Sequence, residues 1–177
     1  LGVSAVAHQL VAVVQTAHVL GVSRTQHFAQ TVVACHFVGN CHDYVGGVFK
    51  AAGYRVTGID REETIRGAGQ YLDAWLKDDF VNVLAIAAKD HSPIIHCAGT
   101  SLVGPSMTNP GEYYDNNIAK TIKLLNVVKD LPKKPLIMFS SSASVYGVPE
   151  EFPIFEDAKV QPISPYGNTK AITETIL

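Results

Sequence analysis

Four short runs of β-branched and apolar residues limit most strongly what this chain can fold into. They are TVVACHFV at 31–38, YRVTGID at 54–60, PIIHCAG at 93–99 and LIMFSSS at 136–142. TVVACHFV is β-branched and nearly all apolar, the pattern of a strand covered on both faces, and PIIHCAG reads as another buried strand. Helix-length segments follow them: VFKAAG closed by Gly53, VNVLAIAAK after Asp78, Asp79 and Phe80, and a proline-led stretch at 109–129. Residues 61–77 read as a polar connection. Strand and helix in regular alternation predict an α/β fold, a Rossmann-like doubly wound parallel sheet with helices on both faces.

At 177 residues the chain accommodates one domain with a substantial core. We assign that domain to 31–177 and treat 1–30 as an N-terminal extension, either a packed helix or disordered. Val3, Val6, Leu10, Val13 and Val14 fall at helical spacings, but His8, Gln9, Gln15 and His18 interrupt any membrane-spanning run. With one arginine, Arg24, and no small-residue cleavage site, the extension lacks the marks of a targeting leader. The other end, Leu177, falls inside an apparent helix, so the sequence reads as part of a longer protein.

A net charge of −2 with 17% charged residues provides no general attraction for polyanions, so nucleic acid is not an expected partner. The three cysteines form no CxxC pair and no even framework, which points to a reducing compartment, the cytoplasm. Cys35, His36, Cys41 and His42 are metal-ligating types, but adjacent residues in a strand face opposite ways and the spacing matches no structural zinc pattern. No metal site is expected.

Chemistry concentrates in 139–170, where FSSSASVYG and SPYGNTK bring together Ser142, Tyr166 and Lys170. A tyrosine and a lysine four positions apart share one helix face, so the ammonium favours the ionised phenol. An unperturbed phenol titrates near ~10, and adjacent positive charge is what makes it useful as a base at neutral pH. Gly46, Asp60, Gly99 and Ser142 each follow a predicted strand, where sheets of this kind bind ligands. A carboxylate at the tip of the second strand accepts hydrogen bonds from an adenosine ribose and repels a 2′-phosphate, so Asp60 favours NAD over NADP. The segment GNCHDYVGG stands where a phosphate-binding glycine turn belongs, with Gly39, Gly46 and Gly47 available; an ordinary strand-to-helix turn stays open there. His96 reads as a core or strand-end histidine.

The segments IIHCAGTSLVGPSMTNPGEYYDNNI, IMFSSSASVYG and SPYGNTKAITETIL resemble the extended short-chain dehydrogenase/reductase family, and within it the UDP-galactose 4-epimerases. The resemblance implies an NAD-dependent nucleotide-sugar epimerase that moves hydride from sugar C4 to NAD and back to the other face. Tyr166 would be the base, Lys170 its activator and ribose contact, and Ser142 the hydroxyl that orients the sugar. It further implies a cofactor site of Gly39, Tyr44, Val45, Gly46, Asp60, Asp79, Phe80, Cys97, Ala98, Gly99, Asn117 and Ser140. Of these, Asp79 and Phe80 would border adenine, and Asn117 would support the turn after the third run. Ser142 is followed by Ala143 and Ser144, where the family's dehydratases carry acids. The implied partners are a UDP-hexose and a second copy of the chain. The departures are Ser101, where the family has lysine, and the glycine turn: aligned on DYVG it has Asn40 and Asp43 where two glycines belong, and aligned from Gly53 it has Gly39 at the middle glycine but His42 at the third. They keep open a second reading, a non-catalytic or truncated NAD-binding relative acting as an interaction module.

Overall fold

The computed structural model describes residues 31–35, 41–61, 68–87 and 93–177, with the course of the backbone alone at 31–35, 41–45 and 68–69. The readings placed on 1–30, on 36–40 and on Gly39 lie outside the described residues. The chain divides into two compact units, one of Leu1–Cys97 with Asn126–Ser140, the other of Ala98–Leu125 with Ser141–Leu177.

The first unit holds a five-stranded sheet. Its strands are β1 (Thr31–Cys35), β2 (Arg55–Asp60), β3 (Ala74–Lys77), β4 (Ile94–His96) and β5 (Ile137–Phe139), with helices α1 (Cys41–Ala51) and α2 (Phe80–Ala87) between them. The order across the sheet is β3-β2-β1-β4-β5 and every pair is parallel, with Val33 opposite both Thr57 and Ile94. The strand order reverses between β1 and β4, and it is beyond the carboxyl ends of such strands that open α/β sheets bind ligands.

Period-two alternation sorts the sheet's side chains. Phe49 of α1 packs with Val56 and Ile95 on one face, joined by Tyr54, Leu72, Cys97 and Met138. On the other face the His96 ring lies 5.4 Å from Phe80 of α2 and 5.7 Å from Phe139. Helices thus cover both faces, as the continuous apolar runs require. His96, 1% exposed, is a core histidine.

Helix α1 ends where Gly53 adopts φ +88, a conformation a side chain would strain. The amide of Tyr54 bonds to Phe49 O and that of Gly53 to Lys50 O, both at 3.0 Å, while the Phe49 and Tyr54 rings meet edge to face at 5.5 Å. This is a Schellman stop with its hydrophobic contact, and it sets where β2 begins.

Two sequence expectations are corrected. Residues 61–77 are not only a connection: they include a 3-10 turn at Ala68–Tyr71 and the edge strand β3. The glycine-containing segment through Gly47 is not an extended turn, since α1 already begins at Cys41. Gly46 is buried inside that helix, where a Cβ would stand 3.2 Å from the Cβ of Tyr71, so its bareness serves packing on the 3-10 turn.

The second unit contains α3 (Val103–Thr108), α4 (Pro110–Tyr114), a π segment at Asp115–Ala119, the first part of α5 (Lys120–Asp130), a 3-10 turn at Ala143–Tyr146 and α6 (Pro165–Ile176). No helix among the described residues is long and apolar enough to cross a membrane.

Candidate active site

Helix α6 begins where its sequence says it should. Ser164 is the N-cap, its Oγ accepting from Gly167 N at 3.1 Å, and Pro165 follows at the first helical position. Tyr166 and Lys170 then share a face, with the Lys170 Nζ 5.9 Å from the centroid of the Tyr166 ring. Lys170 is 6% exposed and Tyr166 half-buried, so the ammonium and the phenol share a medium in which charges are felt more strongly than in water.

The start of α6 rests on the 3-10 turn that Ser142 opens. A Cβ on Gly167 would lie 2.6 Å from Ser144 O, so only glycine permits the helix to come this close. Ser142 caps that turn in an extended conformation, its Oγ accepting from Ser144 N at 3.2 Å and from the Ser144 hydroxyl at 2.9 Å. Next to it, Ser141 donates to Glu174 of α6. Ser142, Tyr166 and Lys170 are thus carried by two segments in direct backbone contact.

A third segment, the turn at 99–102, joins them within the same unit. Asn117 holds it from both sides, accepting from Thr100 N at 2.6 Å and donating to Thr100 O at 3.0 Å. Gly99 lets that amide approach, since a Cβ there would stand 2.9 Å from Asn117 Oδ1. Asn117 sits in the π segment, the one-residue widening that recurs at functional sites. Tyr113 braces the turn further along: its phenol donates to Ser101 O at 2.8 Å and Leu102 O at 2.9 Å, and its ring meets the Tyr166 ring at 6.3 Å and 74°. Burial, with Glu112 adding to it, pushes the Tyr113 phenol above its usual range, so it stays a neutral donor. Leu102 has φ +86, the one non-glycine residue in that region among those described. The sequence did not single out Tyr113 or Thr169; a tyrosine beside the expected Asn117 helix was the only available hint.

The 3-10 turn also anchors a surface loop. Gln161 N donates to Val145 O at 2.9 Å, and Gly147, φ +64, lies so close to Gln161 O that a Cβ would clash at 2.1 Å. Residues 148–160 bulge out between these pinned ends, with Phe152 79% exposed, and line a cavity of about 240 Å³ with Tyr146 and Gln161.

In the first unit, Asp60 ends β2 and is 2% exposed. A buried carboxylate at the tip of the strand next to β1 is an acceptor for hydroxyl donors at the carboxyl end of the sheet. Asp79 accepts from Val81 N at 3.2 Å and Asp78 accepts from Asp79 N at 2.6 Å and from Asn82 Nδ2 at 2.8 Å, so both acids cap α2, whose first residue is the buried Phe80. Cys97 is half-buried and not part of a disulfide, and Ser140 N bonds to His96 O at 3.1 Å just past β5. Tyr44 and Val45 lie in the first half of α1, and Ala98 is buried beside Gly99 in the second unit. Among the described residues no three His, Cys, Asp or Glu cluster as metal ligands would.

Comparison with known proteins agrees with this architecture. The family model described as GDP-mannose 4,6 dehydratase matches residues 47–177. A UDP-glucose 4-epimerase of Streptococcus mutans is 40% identical over 114 residues, 64% of this chain and 34% of the relative. The crystal structure of UDP-glucose 4-epimerase from Brucella ovis in complex with NAD superposes with TM-score 0.75 at 30% identity, over 84% of this chain and 47% of that one. That of Bifidobacterium longum, in complex with NAD+ and UDP, gives 0.72 at 31%, over 83% and 48%. The chain thus spans about a third of the curated relative's length and about half of each solved structure's. Because the family model covers well over half of it, the chain belongs to the NAD-dependent epimerase/dehydratase family of short-chain dehydrogenase/reductase proteins.

Proposed function

We propose that this chain is the cofactor-binding and catalytic portion of an NAD-dependent epimerase acting on UDP-glucose and UDP-galactose. The observation that carries the proposal is the pairing of Tyr166 and Lys170 on one face of α6, packed on the turn that Ser142 opens. In this reading Tyr166 takes the proton of a sugar hydroxyl and returns it, and the Lys170 ammonium favours the phenolate by direct charge attraction. Ser142 orients the hydroxyl. Asp60 accepts from the adenosine ribose, Asp79 and Phe80 border the adenine, and Cys97, Ala98, Gly99 and Ser140 are the further cofactor contacts that the family resemblance implies. Asn117 keeps the 99–102 turn in shape. The family resemblance assigns Gly39, Tyr44 and Val45 to the pyrophosphate. NAD, when bound, supplies the hydride acceptor and donor.

The solved relatives bound to NAD and to UDP support the choice of cofactor and nucleotide. Ile122 and Ile176, exposed on α5 and α6, support a homodimer through these helices, and three cysteines with no CxxC pair and no even framework support a cytoplasmic home. The test is interconversion of UDP-glucose and UDP-galactose by the protein that carries this chain, with Tyr166→Phe as the control. Turnover that Tyr166→Phe abolishes is the expected result. Tight NAD binding with no turnover would leave the interaction-module reading instead.

A further inference from the structure

The hydroxyl of Thr169 has no task in the chemistry above, yet it is fully buried at the centre of the second unit. It donates to Tyr166 O at 2.7 Å and accepts from Asn117 Nδ2 at 2.9 Å. Asn117 spends its remaining capacity on the 99–102 turn, through Thr100 N and Thr100 O. The amide orientation follows from this pattern, since only the oxygen can receive the Thr100 N–H. The main-chain oxygen of Asn117, displaced in the π segment, accepts from Thr121 Oγ1 at 2.5 Å.

We propose that Thr169 is a positioning residue whose hydroxyl locks the first turn of α6, and so Tyr166 and Lys170, to the Asn117-held turn at 99–102. The inference rests on the reading of Tyr166 and Lys170 given under Proposed function. A helical threonine bonding back to a carbonyl one turn earlier is ordinary, and Thr173 and Thr175 do so to Thr169 O and Ala171 O. What sets Thr169 apart is the second bond, accepted from a buried amide 52 positions away in sequence. Thr169 is adjacent to Lys170 and bonds the carbonyl of Tyr166, so its one hydroxyl fixes both functional positions. Without it Asn117 keeps a buried N–H unpaired, and that group regains a partner only by releasing the turn or the helix.

The test compares Thr169→Val, which keeps the shape and loses the hydroxyl, with Thr169→Ser, which keeps the hydroxyl. NAD binding is measured by calorimetry below the melting temperature of each variant, and exchange of the Asn117 side-chain amide by NMR. Thr169→Val should weaken Kd about tenfold, the worth of one buried hydrogen bond, while Thr169→Ser stays within about twofold of wild type. The Asn117 amide should exchange slowly in wild type and in Thr169→Ser, and fast in Thr169→Val. A role confined to stability would lower the melting temperature and leave Kd unchanged, which overturns the proposal. Equal losses in the two variants overturn it as well, as does fast Asn117 exchange in wild type, a measurement that stands even where Thr169→Val does not fold. A wild type that binds no NAD overturns the functional reading itself, whereas NAD binding indifferent to Thr169→Val overturns only the positioning role.

Discussion

Replacing Gly167 with alanine sets two effects of opposite sign against each other. Within a helix, alanine is favoured over glycine by about 1 kcal/mol, part of it from the lower entropy of the unfolded chain. Here the added Cβ would lie 2.6 Å from Ser144 O and 3.2 Å from Pro162 Cβ. A carbon meets a carbonyl oxygen comfortably at about 3.3 Å, so α6 must recede by about 0.7 Å from a backbone atom held in the 3-10 turn. Overpacking of this kind costs about 1–3 kcal/mol, which matches or exceeds the propensity gain and leaves a net loss of up to about 2 kcal/mol. For a chain of this size that lowers the melting temperature by up to about 8 °C.

The same displacement separates Tyr166 from Ser142, and a shift approaching 1 Å at reacting groups lowers turnover by about 10–100-fold. The assay is thermal and urea unfolding followed by circular dichroism, beside epimerase turnover of the protein carrying the chain. Gly111→Ala is the matched control, because a Cβ at that helical position meets nothing within 4 Å. It should raise stability by about 0.5–1 kcal/mol. If Gly167→Ala is also stabilising, or leaves turnover untouched, the close contact between α6 and the Ser142 turn is not what aligns these groups.

Tyr113→Phe keeps the ring against Tyr166 but removes the donor that Ser101 O and Leu102 O share, and should cost about 1–2 kcal/mol in urea unfolding. Because the folded Tyr113 phenol is held above its unfolded value, its contribution is present below about pH 10 and is lost as pH rises, so the variant should show a shallower alkaline decline. Asp73 is the opposite case: the Lys50 ammonium and the Val56 amide, the latter at 2.8 Å, hold its carboxyl below the usual range. Its contribution is present above about pH 4 and is lost as pH falls through the lower folded value, so Asp73→Asn should flatten that part of the acid unfolding curve.

The sheet was legible wherever a strand is buried on both faces, because continuous β-branched runs have few other uses. β3 was not, since AWLK is short, lies at the edge and owes its structure to pairing with β2. One signal could have found it: Gly58 in the middle of β2, where a Cβ would stand 2.9 Å from the Trp75 ring, is the kind of strand glycine that marks a close approach. Tyr166 and Lys170 could be paired from spacing because their geometry is local to one helix, whereas the role of Ser142 came only from the family resemblance. The bond between Asn117 and Thr169 could not be read from spacing, since it joins residues that only the fold brings together. The extent of α1 was misjudged because glycine's intrinsic preference for turns outweighed, on paper, the packing against Tyr71 that keeps Gly46 helical.

The loop at 148–160 leaves and returns through ends that are already tied, Val145 to Gln161 and Gly147 against Gln161. Closing a longer loop between fixed ends adds only about 0.6 kcal/mol for each doubling of its length. Evolution, or an engineer, can therefore exchange or lengthen this segment as a cassette, revising what the protein meets at that surface while Ser142 and Tyr166 stay where they are.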